Sequence, residues 1–167
     1  QVLVDTVYEA HYKRYKEEFG KTILGFLSDE PRFGNQQGTE SSIGKTEMVL
    51  PWRIGLEDEL PFELTYSPLL FVESNKKQAE IRYEYMNLIT KLYSENFTAV
   101  IGKWCEERGV HYIGHNIEDN GAHARLGYGT GHYFRGQTYQ SFSGIDVIGT
   151  QIVPGMPYHH DGFATGG

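Results

Sequence analysis

The sequence lacks several features that define common protein classes. Cys105 is the single cysteine among 167 residues, so no disulfide can form within the chain and zinc sites built on cysteine pairs are excluded. This count leaves the cellular compartment open. No apolar run approaches the roughly 18 residues that a membrane-spanning helix requires, and no secretory leader pattern opens the chain. We therefore expect no membrane partner.

Positive charge is also scarce. The 15 Lys and Arg are outnumbered by 22 Asp and Glu, which gives a formal net charge of -7. Such a chain repels the phosphate backbone, so we expect no nucleic-acid partner. What the sequence has in quantity is 12 Tyr, 9 Phe and 20 Gly. Amphipathic rings on permissive backbone suit sugar-binding loops, and the alternative is that the tyrosines simply fill half-buried positions.

Helical and strand patterns alternate along the chain, which predicts an α/β fold with parallel strands and right-handed crossovers. Gly20 ends the first predicted helix, and Gly109 ends a long helix that we expect to be kinked or divided. Short helical pieces are expected around Pro61 and Pro68. The predicted helices are 4–19, 75–108 and a short one within 135–142, and the predicted strands are 22–27, 110–115 and 144–149. Helical spacing directs these apolar side chains toward a core: Val4, Tyr8, Tyr15 and Phe19 in the first helix, and Ile81, Tyr85, Leu88, Leu92, Phe97, Val100, Ile101 and Trp104 in the second.

Carboxylates follow the first two predicted strands. Asp29 and Glu30 come after the first, and Glu118 and Asp119 come after the second. Loops that leave the carboxyl ends of parallel strands share one face of the sheet. Hydrolysis of an acetal needs one carboxyl group that stays protonated and another that is ionised. The alternative is that both clusters are ordinary turn or capping residues.

Two further groups of residues could take part in chemistry. His115 could hydrogen-bond a sugar hydroxyl or orient a carboxylate, and Trp52 could stack on the apolar face of a sugar. His159, His160 and Asp161 are residue types that bind transition metals. Adjacent residues on an extended segment point in opposite directions, however, so we expect no metal site and no cofactor.

Three segments resemble a known family. Residues 20–35 (GKTILGFLSDEPRFGN) resemble the strand-four region of (β/α)8-barrel glycoside hydrolases, in particular bacterial α-L-rhamnosidase-like enzymes and relatives of the β-galactosidase clan. Residues 104–115 and 144–152 resemble the next helix, strand five and strand six. The resemblance implies that 1–167 is one fragment of a catalytic TIM barrel, with strands 4 to 6 and their helices. Such barrels typically need about 250 residues, so the remainder of the barrel or an oligomer partner is expected.

The resemblance also implies roles for individual residues. Glu30, which Pro31 follows, corresponds to the family's general acid, and Asp29 stands where the family has Asn. Glu118 would be the second catalytic carboxylate. The expected activity is hydrolysis of O-glycosidic bonds in a carbohydrate substrate; the alternatives are a noncatalytic carbohydrate-binding or degenerate barrel and a metal-dependent hydrolase. The expected substrate-binding residues are Asp29, His115, Asn116, Trp52 and Gln151.

Overall fold

A computed structural model shows a mixed helix and strand fold. It describes residues 1–29, 31, 43–44, 50–74, 77–116 and 130–142. The predicted strand 144–149 lies outside the described residues. So do Glu30, Glu118, Gln151 and the group His159, His160 and Asp161.

The first helical region passes through three kinds of helix. A π-helical turn, Val4–Tyr8, continues into α1, Glu9–Tyr15, and a 3₁₀ turn, Lys16–Glu18, ends it. Val4 and Tyr8 are buried, as their spacing predicts, whereas Tyr15 is 45% exposed. Tyr15 was expected on the buried side of this helix, but it is exposed because the backbone leaves helical geometry at this residue (φ −128°, ψ 23°). Tyr12 packs against the core instead.

The first strand, β1, is Gly25–Asp29, so it begins later than the predicted 22–27. The carbonyl of Glu18 accepts hydrogen bonds from the amides of Lys21, Thr22 and Ile23, which holds those residues in a turn. Gly20 makes this turn possible with a φ of 74°, a value that side chains disfavour. Asp29, expected in a loop, is the last residue of the strand.

The predicted long helix is divided. It consists of α2, Lys77–Tyr93, a π-helical turn, Ser94–Thr98, and α3, Ala99–Glu106. Gly109 (φ 67°) follows, and the amide of Val110 donates to the carbonyl of Cys105. The chain then enters β2, His111–His115. The remaining helical pieces are the 3₁₀ helices Leu56–Asp58 and Leu64–Leu70, in the region of the prolines, and α4, Tyr133–Gln137.

The two strands pair in parallel, which confirms the predicted strand direction. Residues alternate between the faces: Phe26 and Tyr112 pack toward the helices, and the hydroxyl groups of Ser28 and Tyr112 lie 2.7 Å apart. On the other face, the paired residues Leu27 and Ile113 are 61% and 36% exposed. The sheet therefore has one covered face and one face without a cover among the described residues.

The second edge of β2 is bonded to a different segment. The amide of Ser141 donates to the carbonyl of Tyr112, and the amide of Tyr112 donates to the Ser141 hydroxyl. The amide of Gly114 donates to the side-chain carbonyl of Gln140. The chain that follows α4 thus lies along β2, on the side opposite β1.

Two apolar clusters lie along the divided helix, one on each side of its π-helical turn. The first packs α3 and the first helical region under the sheet, and the second packs α2 against the 3₁₀ helices. The buried members of the first are Val4, Tyr8, Ile101, Trp104, Cys105, Val110 and Tyr112, and those of the second are Leu56, Leu69, Leu70, Ile81, Tyr85, Met86 and Ile89. Leu88 and Leu92, both expected in the core, are half-buried at the margin of the second cluster.

A partly buried carboxylate, that of Glu9, joins α1 to the end of α3. The Oε1 atom of Glu9 accepts hydrogen bonds from the Trp104 indole and from the Arg108 guanidinium, each at 2.6 Å. The guanidinium also lies 4.2 Å from the Trp104 ring centroid and 5.0 Å from that of Tyr12. Hydrogen bonds to charged groups are the stronger kind, so this contact fixes how the two helices pack.

None of the helices within the described ranges is long and apolar enough to cross a membrane.

Replacing Glu9 by Ala should lower the free energy of unfolding by about 1–3 kcal/mol, because it leaves the Trp104 and Arg108 donors without their shared acceptor. Glu17, which is exposed and pairs with exposed Lys16, offers a control. Glu17→Ala should change the value by less than about 0.5 kcal/mol. Urea denaturation measures both. Equal losses in the two variants would show that the Glu9 contact does not hold the helices.

Stability should fall at alkaline pH through Cys105. Burial raises the pKa of this thiol from 9.0 to about 11, partly opposed by the Arg108 charge. The unfolded chain therefore releases the thiol proton at lower pH than the folded chain, and stability is lost as the pH rises from about 9 toward 11. Urea denaturation at pH 8, 9, 10 and 11 should show the stability of the wild type relative to Cys105→Ala declining. A constant difference between the two proteins contradicts the prediction.

Candidate functional site

The carboxyl edge of the sheet brings together two of the residues expected to bind substrate. Asp29 and His115 end the two strands and are partners in the parallel register. The distance between His115 Nδ1 and Asp29 Oδ1 is 3.6 Å, which is an ion-pair distance when the imidazole is protonated. The Asp29 side chain is largely exposed, whereas that of His115 is mostly covered. Acceptor and donor groups therefore lie side by side at this edge.

Asn116, the next residue after β2, is only 3% exposed. The Tyr93 hydroxyl donates to its Oδ1 atom at 3.3 Å, and its Nδ2 atom has no hydrogen-bond partner among the described residues. The backbone of Gly136 comes close to this amide, since a Cβ atom there would lie 3.6 Å from Nδ2. An unpaired buried donor costs about 1–3 kcal/mol, so the Nδ2 atom of Asn116 is a donor that the described residues leave unused.

A cleft of about 500 Å³ lies beside this edge, a volume in the range of small-molecule sites. Pro31, two residues beyond the end of β1, lines it. Tyr93, the hydrogen-bond partner of Asn116, lines it as well. The lining is mostly apolar, and further members are Trp52, Arg53, Leu56, Ile89, Asn96 and Phe97.

One wall of the cleft is built by the break in the long helix. Tyr93 is the last residue of α2, and Phe97 lies in the π-helical turn that follows. Their rings stack with centroids 5.4 Å apart and planes inclined by 21°. Single π-helical turns are found frequently at functional sites, because they displace side chains from the regular helical face. Here the turn places Asn96 and Phe97 in the cleft wall.

Another wall of the cleft is formed by the backbone around Trp52, which has no regular secondary structure and is held by two contacts. The carbonyl of Pro51 accepts a hydrogen bond from the buried Tyr85 hydroxyl, and Arg53 pairs with Glu59. Burial raises the pKa of Tyr85, which keeps this donor protonated. Trp52 lies between the two anchors and is 52% exposed. A large half-exposed ring is thereby held in the cleft.

The structure thus groups four of the seven residues expected at the site. Asp29, His115 and Asn116 lie at the carboxyl edge, and Trp52 lies in the adjoining cleft. Glu30, Glu118 and Gln151 lie outside the described residues. In the part of the chain that the structure describes, no group of His, Cys, Asp and Glu side chains could hold a metal ion.

Sequence reasoning missed Tyr93 as a cleft residue. It placed Phe97 toward a core, and Phe97 does pack against the first apolar cluster while it also lines the cleft. Both lie in a stretch whose apolar spacing is typical of a continuous buried helix. Nothing in that spacing distinguishes a π-helical turn, which adds one residue between hydrogen-bonded partners. The only indication was the length of the predicted helix, which suggested a division without locating it.

Comparisons of this chain with protein-family models, with curated proteins and with solved structures find no match. The resemblance to glycoside hydrolases therefore stays a prediction from the sequence.

Removing the Tyr93 hydroxyl should destabilise the carboxyl edge. Tyr93→Phe leaves the buried Oδ1 atom of Asn116 without its donor, so the free energy of unfolding should fall by about 1–2 kcal/mol. Tyr83, exposed on the same helix, provides the matched control. Tyr83→Phe should have almost no effect in the same urea denaturation. The hydrogen bond contributes nothing if both variants unfold at the same urea concentration.

Proposed function

We propose that this chain carries the substrate-binding face of a glycoside hydrolase, which hydrolyses O-glycosidic bonds in oligo- or polysaccharides. The observation that carries the proposal is the place of Pro31. This residue lines the cleft and directly follows Glu30 in the chain. A candidate general acid is therefore one peptide bond away from a cleft residue, at the end of a parallel strand.

The polar groups of the carboxyl edge support a sugar as ligand. Each sugar hydroxyl both donates and accepts, so its binding site needs groups of both kinds. Asp29 offers an exposed carboxylate acceptor, Asn116 an unpaired amide donor and His115 an imidazole. Trp52 adds a half-exposed ring of the type that packs on sugar faces.

We further propose that β1 and β2 are neighbouring strands of a (β/α)8 barrel. A helix, a glycine of positive φ and a strand follow one another twice in the chain, and the strands are parallel. Leu27 and Ile113 on the uncovered face are branched apolar residues of the type that fills a barrel interior. The chain leading to the predicted strand 144–149 lies along the second edge of β2, on the side that the next strand of a barrel would occupy. The rest of the barrel would cover the sheet face that carries Leu27 and Ile113.

The proposed reaction uses two carboxyl groups. Glu30 donates its proton to the glycosidic oxygen as the bond from that oxygen to the anomeric carbon breaks. Glu118 serves as the second carboxylate. A water molecule gives its hydroxyl group to the anomeric carbon and its proton to a carboxylate, which is Glu118 if the reaction inverts and the deprotonated Glu30 if it retains. The separation of the two carboxyl groups sets the stereochemistry: about 5–5.5 Å gives retention, and about 6.5–9.5 Å gives inversion.

A noncatalytic carbohydrate-binding protein is the second candidate. The features that favour it are the half-exposed Trp52 and the unpaired amide of Asn116, since both could bind a sugar without a carboxylate pair. Both candidates bind oligosaccharides saturably. Only the glycoside hydrolase releases reducing sugar from them.

Replacing Glu30 by Gln should lower hydrolysis by about 10²–10⁴-fold, because the amide cannot give a proton to the leaving oxygen. Sugar binding should persist. Reducing-sugar release from a panel of oligosaccharides measures the first, and calorimetric titration measures the second, both with the full-length protein. Glu57→Gln changes an exposed side chain of the 3₁₀ helix Leu56–Asp58, is the control and should leave turnover unchanged.

Near-normal turnover by Glu30→Gln would exclude Glu30 as the acid. Binding without any hydrolysis by the wild type would exclude the glycoside hydrolase and favour the noncatalytic candidate.

A further inference from the structure

Asp29 and His115 lie side by side on the sheet face that the proposed barrel would enclose. They are partners in the parallel register, and each lies two residues beyond an apolar residue of the uncovered face, Leu27 in β1 and Ile113 in β2. Side chains two residues apart on a strand share a face of the sheet. The pair therefore stands at the carboxyl end of the strands and on the interior side of the proposed barrel, where barrel enzymes bind their substrates.

We infer that Asp29 is a positioning residue for His115. Its carboxylate holds the proton of the neutral imidazole on Nδ1, so that the Nε2 atom accepts a hydrogen bond from a hydroxyl group of the bound sugar. The identity of the ligand as a sugar rests on the proposed function, whereas the position of the proton does not.

The two facing atoms determine which ring nitrogen carries the proton. His115 Nδ1 lies 3.6 Å from Asp29 Oδ1. An ionised carboxylate only accepts hydrogen bonds, and a neutral imidazole carries its single N–H proton on one of its two nitrogens. Because electrostatic attraction falls with distance, the proton is more stable on the nitrogen beside the carboxylate than on the other one. The separation exceeds the usual hydrogen-bond length of about 2.7–3.2 Å only slightly, and a small rotation of the largely exposed Asp29 side chain closes it.

The backbone that carries His115 is held on both sides of the residue. The amide of Gly114, which precedes it, donates to Gln140 Oε1 at 3.0 Å. Asn116, which follows it, is 3% exposed and accepts a hydrogen bond from the Tyr93 hydroxyl. The His115 side chain itself is only 20% exposed. The orientation of the ring then depends on its own two torsions, which the contact with Asp29 restricts, so the imidazole is preorganised for a ligand.

An imidazole protonated on Nδ1 offers the ligand an acceptor and not a donor. Its Nε2 lone pair takes a hydrogen bond from a sugar hydroxyl, whereas the opposite tautomer would donate one. The contact with the ring uses Oδ1 of Asp29, so Oδ2 is a second acceptor at the same edge. A sugar that lacks the matching hydroxyl group leaves Nε2 unpaired, and sites of this kind discriminate strongly against such analogues.

The tautomer of His115 can be measured by NMR in protein labelled with ¹⁵N at histidine. Correlations between the ring nitrogens and the carbon-bound ring hydrogens distinguish the two tautomers, and the spectra are taken at pH 8.5, above the ordinary histidine pKa of about 6.5. The chain has seven histidines, and His115→Gln assigns one set of signals by removing it. His11 is an internal reference for the Nδ1-protonated form, because its Nδ1 atom lies 2.7 Å from the Val7 carbonyl oxygen, which only accepts.

We expect His115 to carry its proton on Nδ1 in the wild type. In Asp29→Ala the form protonated on Nε2 should become the major one, and Asp29→Glu, which keeps a carboxylate, should restore part of the original preference. Asp5→Ala removes an exposed aspartate of the first helical region and should leave the His115 signals unchanged. His111, at the other end of the same strand, should be unaffected in every variant.

The effect on sugar binding is measured with the full-length protein and the oligosaccharide that it hydrolyses fastest. Asp29→Ala, His115→Ala and the double variant form a double-mutant cycle. Each single variant should raise KM by about 2–10-fold, which corresponds to the loss of one hydrogen bond. Because Asp29 acts through the ring, the increase in the double variant should be smaller than the product of the two single increases.

A wild-type His115 that is protonated on Nε2, or on both nitrogens, overturns the inference and leaves the proposed function standing. An unchanged tautomer in Asp29→Ala, or KM increases that simply multiply, has the same meaning. If the ring is protonated on Nδ1 but the full-length protein neither binds nor hydrolyses any sugar, the positioning role of Asp29 is supported. That result overturns the proposed function, and with it the sugar hydroxyl as the donor to Nε2.

Discussion

The parallel pairing of β1 with β2 is the constraint on which the rest of the structure depends. It places Asp29 beside His115 and brings the cleft residue Pro31 to the same edge. Gly25 permits this register, since a Cβ atom there would lie 2.5 Å from the carbonyl oxygen of His111. A slip of one residue along either strand would turn its buried face outward and separate the two polar end residues.

The π-helical turn also determines which side chains line the cleft. It lies where the long helix passes from one apolar cluster to the other, so each half of the helix presents its own face to its own cluster. Tyr93 takes part in both surfaces at this junction: its ring lines the cleft, and its hydroxyl holds Asn116. The Tyr93 side chain therefore lies between the polar edge and the apolar cleft and contacts both.

The sequence predicted the order of elements and the strand direction, because helical and strand periodicities are local. It also predicted that the loops leaving the carboxyl ends of the two strands would share one face of the sheet, and the strand ends Asp29 and His115 are partners at that edge. It missed the start of β1, where the Glu18 carbonyl holds three amides in a turn. The cleft could not be predicted from the sequence, because Pro31, Trp52 and Tyr93 are distant in the chain and meet only through tertiary packing.

The contact of Glu9 with Trp104 and Arg108 also bears on how the chain folds. Glu9 finds its partners Trp104 and Arg108 only 95 and 99 positions later in the chain. During synthesis the first helical region therefore emerges about a hundred residues before the groups that it packs against. Helices form within microseconds, whereas contacts this distant require closure of a long loop. Val4 and Tyr8 pack in the same cluster as Trp104, so their burial in that cluster also requires residues about a hundred positions later in the chain.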